Sequence, residues 1–199
     1  MGKYFDEMKR TMEWLAEQPR TLFMGQAVGS KGTFLSATLE DVPEAKRLEL
    51  PVCESFQMQV AMGMALEGVV PISVYPRQNF MLLATSEIVN MIDKLSAISV
   101  GEVTPSIIIR TAAGTTRPIN PGHQHVGNYA AGLRAMVDEV EIVELHESSL
   151  MLHGDCITGS LATIPWSRAC SSMANAHWSP AFAADGSRAV GRGCLGWSV

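Results

Sequence analysis

Charge is scarce in this 199-residue chain: 18% of its residues are charged and 7% are aromatic, against 47% that are hydrophobic. That balance argues against a disordered or nucleic-acid-coating chain and for a globular protein able to bury a core. Positive charge is scarcer still. A net charge of -5 and a pI near 5.5 remove any general attraction to phosphate backbones or anionic membranes, so DNA, RNA and lipid surfaces are not expected partners. Long apolar runs are missing too, since the stretch from Val60 to Tyr75 is broken by Glu67, Gly68 and Pro71. It falls short of the roughly 20 residues that cross a bilayer. The opening MGKYFDEMKRTMEWLAEQ is charged from Lys3 through Glu17 and lacks the apolar centre of a secretory signal, which predicts a cytoplasmic protein. The four cysteines, Cys53, Cys156, Cys170 and Cys194, have neither CxxC spacing nor a zinc-type histidine pattern, so free thiols are expected.

What is present alternates. Strand-like runs rich in β-branched residues occur at Thr21–Val28, Val69–Tyr75, Ser106–Ala113 and Val140–Glu147. Helical patterns lie between them, at Phe56 to Glu67 and at Ser86 to Ile98, where Ile88, Met91, Ile92, Leu95 and Ile98 recur at the steps of one face. A further helix is expected over Phe5 to Glu17, ended by Pro19. The alternation predicts an α/β fold, a mostly parallel sheet with helices on both faces. In such sheets ligands sit beyond the carboxyl ends of the strands, which directs attention to the loops after Val28, Tyr75 and Ala113. The expected organisation is an N-terminal helix in residues 1–19, an α/β domain over 20–155, and a tail over 156–199. That tail holds three of the four tryptophans and three of the four cysteines without a helical or strand period. It is expected to be an anomalous segment, either a poorly packed extension or the product of a truncation or shifted reading frame.

Three motifs invite chemistry. GQAVGSKGT, Gly25–Thr33, follows a strand as phosphate loops do, but Ser30-Lys31-Gly32 stands where Gly-Lys-Ser/Thr is required, which makes a phosphate-binding transferase a weak alternative. His123 and His125 form an H-x-H pair with no third ligand at a supporting spacing, so substrate contact or loop hydrogen bonding is expected there, and no metal. LPVCESFQMQVAMGMAL, from Leu50 to Leu66, sets one carboxylate, Glu54, at the start of an apolar helix. Its plain explanation is a helix N-terminal acid, favourable by about 0.3–1 kcal/mol against the macrodipole.

A functional explanation comes from a resemblance. RLELPVCESFQMQVAMGMALEGVVPISVY, NFMLLATSEIVNMIDKLSAIS, PSIIIRTAAGTTRPINPGHQHVGNY and VEIVEL, in unbroken order over roughly residues 20–150, resemble the pyrimidine-binding domain of thiamine-diphosphate enzymes. The similarity is to the β subunits of 2-oxoacid dehydrogenase first components, such as pyruvate dehydrogenase, and to the transketolase middle domain. It implies that Glu54 is the glutamate sharing a proton with the aminopyrimidine ring of the cofactor. Burial in apolar surroundings favours the neutral form of a carboxyl group, so such an acid keeps a proton to donate near neutral pH. The resemblance also implies that Phe80, in YPRQNF, lies beside the aminopyrimidine and that His125 faces the reacting substrate, with His123 and Arg117 as second choices in the same loop. Arg110 and Arg77 are further candidates for an acidic substrate, a surface salt bridge being the plain alternative for each.

Two departures from the family stand out. Gln26 and Ala27 occupy the place where the dehydrogenase β subunits usually carry an acidic pair, and the family's further α/β domain is replaced by the tail. The family grips magnesium and the diphosphate through a Gly-Asp-Gly motif, which this chain lacks; HGDC at His153–Cys156 is the nearest approach. The resemblance therefore implies a hetero-oligomer with a diphosphate-binding, α-like partner chain that holds the magnesium, and a 2-oxo acid or a ketose as substrate. A non-catalytic α/β interaction or regulatory module keeping the fold is the alternative from another class.

Overall fold

The computed structural model describes residues 3–113, 116, 120–145 and 197–198. The chain opens with α1 (Lys3–Glu17), which buries Phe5, Met8, Met12, Leu15 and Ala16 along one face. Pro19 follows its end, and the carbonyls left open there find donors. Thr21 Oγ1 donates to Leu15 O at 2.6 Å and to Gln18 O at 2.9 Å, and the Lys46 ammonium donates to Gln18 O at 2.6 Å. A cation there also complements the negative end of the helix dipole.

Four strands form the sheet that positions the site: β1 (Thr21–Gly25), β2 (Arg47–Glu49), β3 (Val70–Tyr75) and β4 (Ile108–Thr111). They lie in the order β2-β1-β3-β4, all parallel, with Phe23 opposite Ile72 and Ile72 opposite Ile108. The ladder continues through Trp197–Ser198 to Val140–Glu141. Every residue of β3 is buried, as expected of a strand paired on both sides and covered on both faces. Phe23, Val70, Ile72, Val74 and Ile108 face α1 and the short helix α2 (Phe34–Ala37). Met24, Tyr75, Ile107 and Ile109 face α3 (Glu54–Leu66) and the helical stretch from Gln78 to Ile98. The expected α/β architecture with helices on both faces is the one observed.

Several boundaries differ from expectation. β1 stops at Gly25, whose φ of +132° and close approach to the Val74 carbonyl and Gln57 leave no room for a β-carbon. The stretch from Ser86 to Ile98 is not one regular helix: Glu87–Ile92 is a π-helical turn followed by α5 (Asp93–Ile98), after α4 (Gln78–Met81) and a 3-10 turn at Leu82–Ala84. The wider turn brings Asp93 to the buried side with Ile88 and Ile92, while Met91 and Ile98 are exposed. The run from Val140 is a strand, β5, at Val140–Glu141, and the Ile142 carbonyl beyond it accepts from the Arg134 guanidinium at 3.1–3.2 Å. Arg134 ends α6 (Ala130–Arg134). The tail over 156–199 lies outside the described residues except for 197–198.

Candidate functional site

β2 and β3 lie on opposite sides of β1, so the chain switches direction across the sheet beside β1, and the carboxyl ends of β1 and β3 flank that switch point. Crevices at such points are where open α/β sheets bind ligands. Glu54 is there. It begins α3, is 5% exposed, and its Oε1 accepts from Gln26 Nε2 at 3.0 Å, Gln26 being the first residue after β1. The Glu54 carbonyl accepts from the hydroxyl of Tyr75, the last residue of β3, at 3.0 Å. Burial raises the Tyr75 hydroxyl well above the ordinary phenol range, a Ser73 hydrogen bond opposes this, and the Glu54 and Glu87 charges add to it; Tyr75 thus stays a neutral donor. The first turn of α3 is braced again by Glu87, whose Oε1 accepts from Ser55 Oγ and, at 3.0 Å, from Gln59 Nε2. Burial acts to raise the Glu87 carboxyl, but these bonds outweigh it and hold it below the usual range.

The loop after β1 has its own anion. Glu49 on β2 accepts from Ala27 N–H at 2.8 Å and Gly29 N–H at 2.6 Å, and Thr33 serves as the N-cap of α2 in a reciprocal box with Ser36. Two amides of this loop, those of Ala27 and Gly29, are thus already taken by a carboxylate.

Phe80, on α4, is half-buried, and its ring stacks on His125 with centroids 5.1 Å apart and planes 27° apart. His125 ends a 3-10 turn over His123–His125, and its Nδ1 is buried without a partner among the described residues. Thus the structure brings Phe80 and His125 together and sets Glu54 at the same edge of the sheet; no hydrogen bond or ring contact joins Glu54 to either among the described residues. His123 is exposed, and Arg117 lies outside the described residues. Among the described residues no group of three His, Cys, Asp or Glu side chains converges on one point.

Arg110 is elsewhere. It lies on the α1 side of the sheet, 6% exposed, donating from Nη2 to Thr38 Oγ1 at 2.7 Å while Nη1 finds no partner among the described residues. It is neither beside Glu54 nor in a surface salt bridge, because its side chain alternates with Ile109 onto the opposite face. Burial pushes its pKa down to about 10, the Tyr4 hydroxyl partly opposing. Among the described residues no carboxylate pairs with it, and a buried cation so placed costs more desolvation than it recovers. Arg110→Met is therefore expected to leave stability unchanged or raise it by about 1 kcal/mol, measured by urea unfolding.

Gln57 and Tyr75 were not legible as site residues, and Gln26 was noted only as a departure from the family's acidic pair. The signal of Gln57 and Tyr75 is place alone, one turn into α3 and the last residue of β3, and it emerges once the strand ends are known. Gln57 is fully buried, donating from Nε2 to Ser73 Oγ and to Val74 O, both at 3.0 Å, and its Oε1 has no partner among the described residues.

A parallel sheet whose switch point carries a sheltered carboxylate has the layout of a transketolase-like pyrimidine domain. Relatives with established names agree. The chain is 29% identical to the mitochondrial pyruvate dehydrogenase E1 component subunit beta-2 of Oryza sativa subsp. japonica over 63% of its own length and 35% of that protein. It is 30% identical to the pyruvate dehydrogenase E1 component subunit beta of Chaetosphaeridium globosum over 56% of its length and 35% of that protein. Against the chloroplastic subunit beta-3 of Arabidopsis thaliana the identity is 27% over 56% of its length and 28% of that protein. These matches and the parallel sheet together support a transketolase-like pyrimidine domain in this chain. The chain spans about a third of the length of the curated relatives it matches. No family model matches it.

Proposed function

We propose that the chain is the pyrimidine-binding, β-like subunit of a split thiamine-diphosphate enzyme acting on a 2-oxo acid. The observation that carries the reading is Glu54, a carboxylate sheltered at the switch point and held by Gln26. The donor set fits the cofactor: a sheltered carboxyl for a ring nitrogen, a half-buried Phe80 face for a heteroaromatic ring, and unpartnered buried atoms, Gln57 Oε1, Thr111 Oγ1 and His125 Nδ1, in the elements around the strand ends. When bound, thiamine diphosphate supplies a carbon nucleophile and an electron sink for the bond next to a carbonyl.

This chain's residues bind and steer. Glu54 would hold a proton facing a ring nitrogen of the bound cofactor, Phe80 would offer its face to that ring, and His125 would take or return a proton at its imidazole or hold a substrate oxygen. His123 and Arg117 remain second choices for holding the substrate. The relatives named pyruvate dehydrogenase favour a 2-oxo acid over a ketose. The diphosphate and magnesium belong to an α-like partner carrying Gly-Asp-Gly, in a hetero-oligomer. A cytoplasmic location is part of the proposal and is checked by fractionation, since some relatives are named mitochondrial or chloroplastic. Among the described residues no helix is long and apolar enough to cross a membrane.

The test is co-expression with a Gly-Asp-Gly-containing partner and titration with thiamine diphosphate and magnesium by calorimetry. Binding by the pair and none by the chain alone is expected; a pair that forms without binding the cofactor overturns the reading.

A further inference from the structure

Tyr129 is tied twice to α4. Its backbone N–H donates to Gln78 Oε1 at 2.6 Å, and its hydroxyl accepts from Asn79 Nδ2 at 3.0 Å. Gln78 is fully buried, and its own N–H donates to the Ala112 carbonyl just past β4 at 3.0 Å. The Tyr129 ring also folds over Gly127, where any β-carbon would run into the ring and its hydroxyl. His125, four residues earlier in the chain, stacks on Phe80, the residue that follows Asn79. The connecting residues 126–128 belong to no helix or strand. Two bonds to consecutive residues of one helix fix both the position and the rotation of the segment that carries the histidine.

We infer that Tyr129 is the positioning residue for His125: it latches the 122–129 loop onto α4 and so sets the imidazole against the Phe80 ring. The latch itself stands on contacts within the chain; its effect on turnover rests on the role given to His125 above. Two variants separate its parts. Tyr129→Phe removes the hydroxyl bond and keeps the ring, whereas Gly127→Ala displaces the ring and keeps the hydroxyl.

In the full chain the readout is the His125 imidazole proton resonance, assigned with His125→Gln. Stacking on Phe80 displaces it upfield relative to the exposed His123. Both variants are expected to move it toward the His123 position while the far-UV circular dichroism stays that of the wild type. If neither moves it, or only Gly127→Ala does, the two-bond latch is overturned. If Tyr129→Phe loses its fold, Asn79→Ala removes the same bond from the other end and is read in the same way.

In the assembly with the partner chain, Tyr129→Phe is expected to lower kcat about tenfold with KM within about twofold, because misplacing a catalytic group acts on the reacting geometry more than on ground-state binding. A resonance that moves while kcat holds supports the latch and overturns the role given to His125, so the two failures are distinguishable.

Discussion

Glu54→Ala in the assembled enzyme is expected to lose about 10²–10⁴-fold in cofactor-dependent turnover, the usual worth of a general acid–base group. The alanine variant also leaves the Gln26 amide buried without its acceptor, which costs about 1–3 kcal/mol and complicates the reading. Glu54→Gln separates the effects. Its carbonyl oxygen still accepts from Gln26, the Tyr75 bond to the main chain at position 54 is untouched, and only the transferable proton is gone. An equal loss of rate in both variants, with unchanged melting of the glutamine variant, assigns the loss to the proton. Full turnover by the alanine variant sinks the proposed function.

Asp93→Ala is expected to cost about 3–5 kcal/mol in denaturant unfolding, the scale of breaking a buried ionic network from one side. Asp93 is fully buried. Its Oδ1 accepts from the backbone N–H groups of Asp138, Glu139 and Val140 at 2.8–3.0 Å, and its Oδ2 pairs with Lys94 at 2.6 Å. It thereby sews α5 to the start of β5, and its removal strands three amides at once. Asp93→Asn, which keeps the carbonyl acceptor, loses the ion pair and less stability. Burial acts to raise the Asp93 carboxyl, but the Lys94 bond and the three amides outweigh it, so its native pKa lies below the ordinary 3.8. The sign follows: the stability it contributes is whole above the ordinary value and drains away as the pH falls through the lower native one. Acid unfolding curves of the wild type and of Asp93→Asn therefore converge toward low pH; parallel curves contradict the linkage.

Much of this fold was legible because burial is written in composition. The six residues from Val70 form an unbroken apolar run around one serine, and they became the doubly covered strand β3. Glu54 drew attention as a lone acid at the head of an apolar helix, but that pattern fits a helix N-terminal acid equally well, and only the family resemblance singled it out. What was missed is short or tertiary. β2 is three residues, Arg47–Glu49, too brief for a period to register, and α2 is four, announced only by Thr33 and Ser36. The π-turn at Glu87–Ile92 could not be read from a 3.6-residue repeat that fits Met91 and Ile98 as well as Ile88. Arg110 looked like a candidate because an arginine at a strand end is normally at the surface, and only the pairing of β4 with β3 reveals which face it occupies. Tyr129 gave no signal at all, since its partners Gln78 and Asn79 are about fifty positions away.

The ammonium of Lys46 has a consequence for how the molecule can be divided. It reaches from the approach to β2 into a ring of oxygens made by Gln18, Pro19 and Thr21, while Met12 and Leu15 plug the sheet over Phe23. A shortened version beginning at residue 20 would strip α1 from one face of the sheet, expose Phe23 to water and take from Lys46 the Gln18 and Pro19 carbonyls, leaving it only Thr21. The first helix is thus a floorboard of the building and no porch.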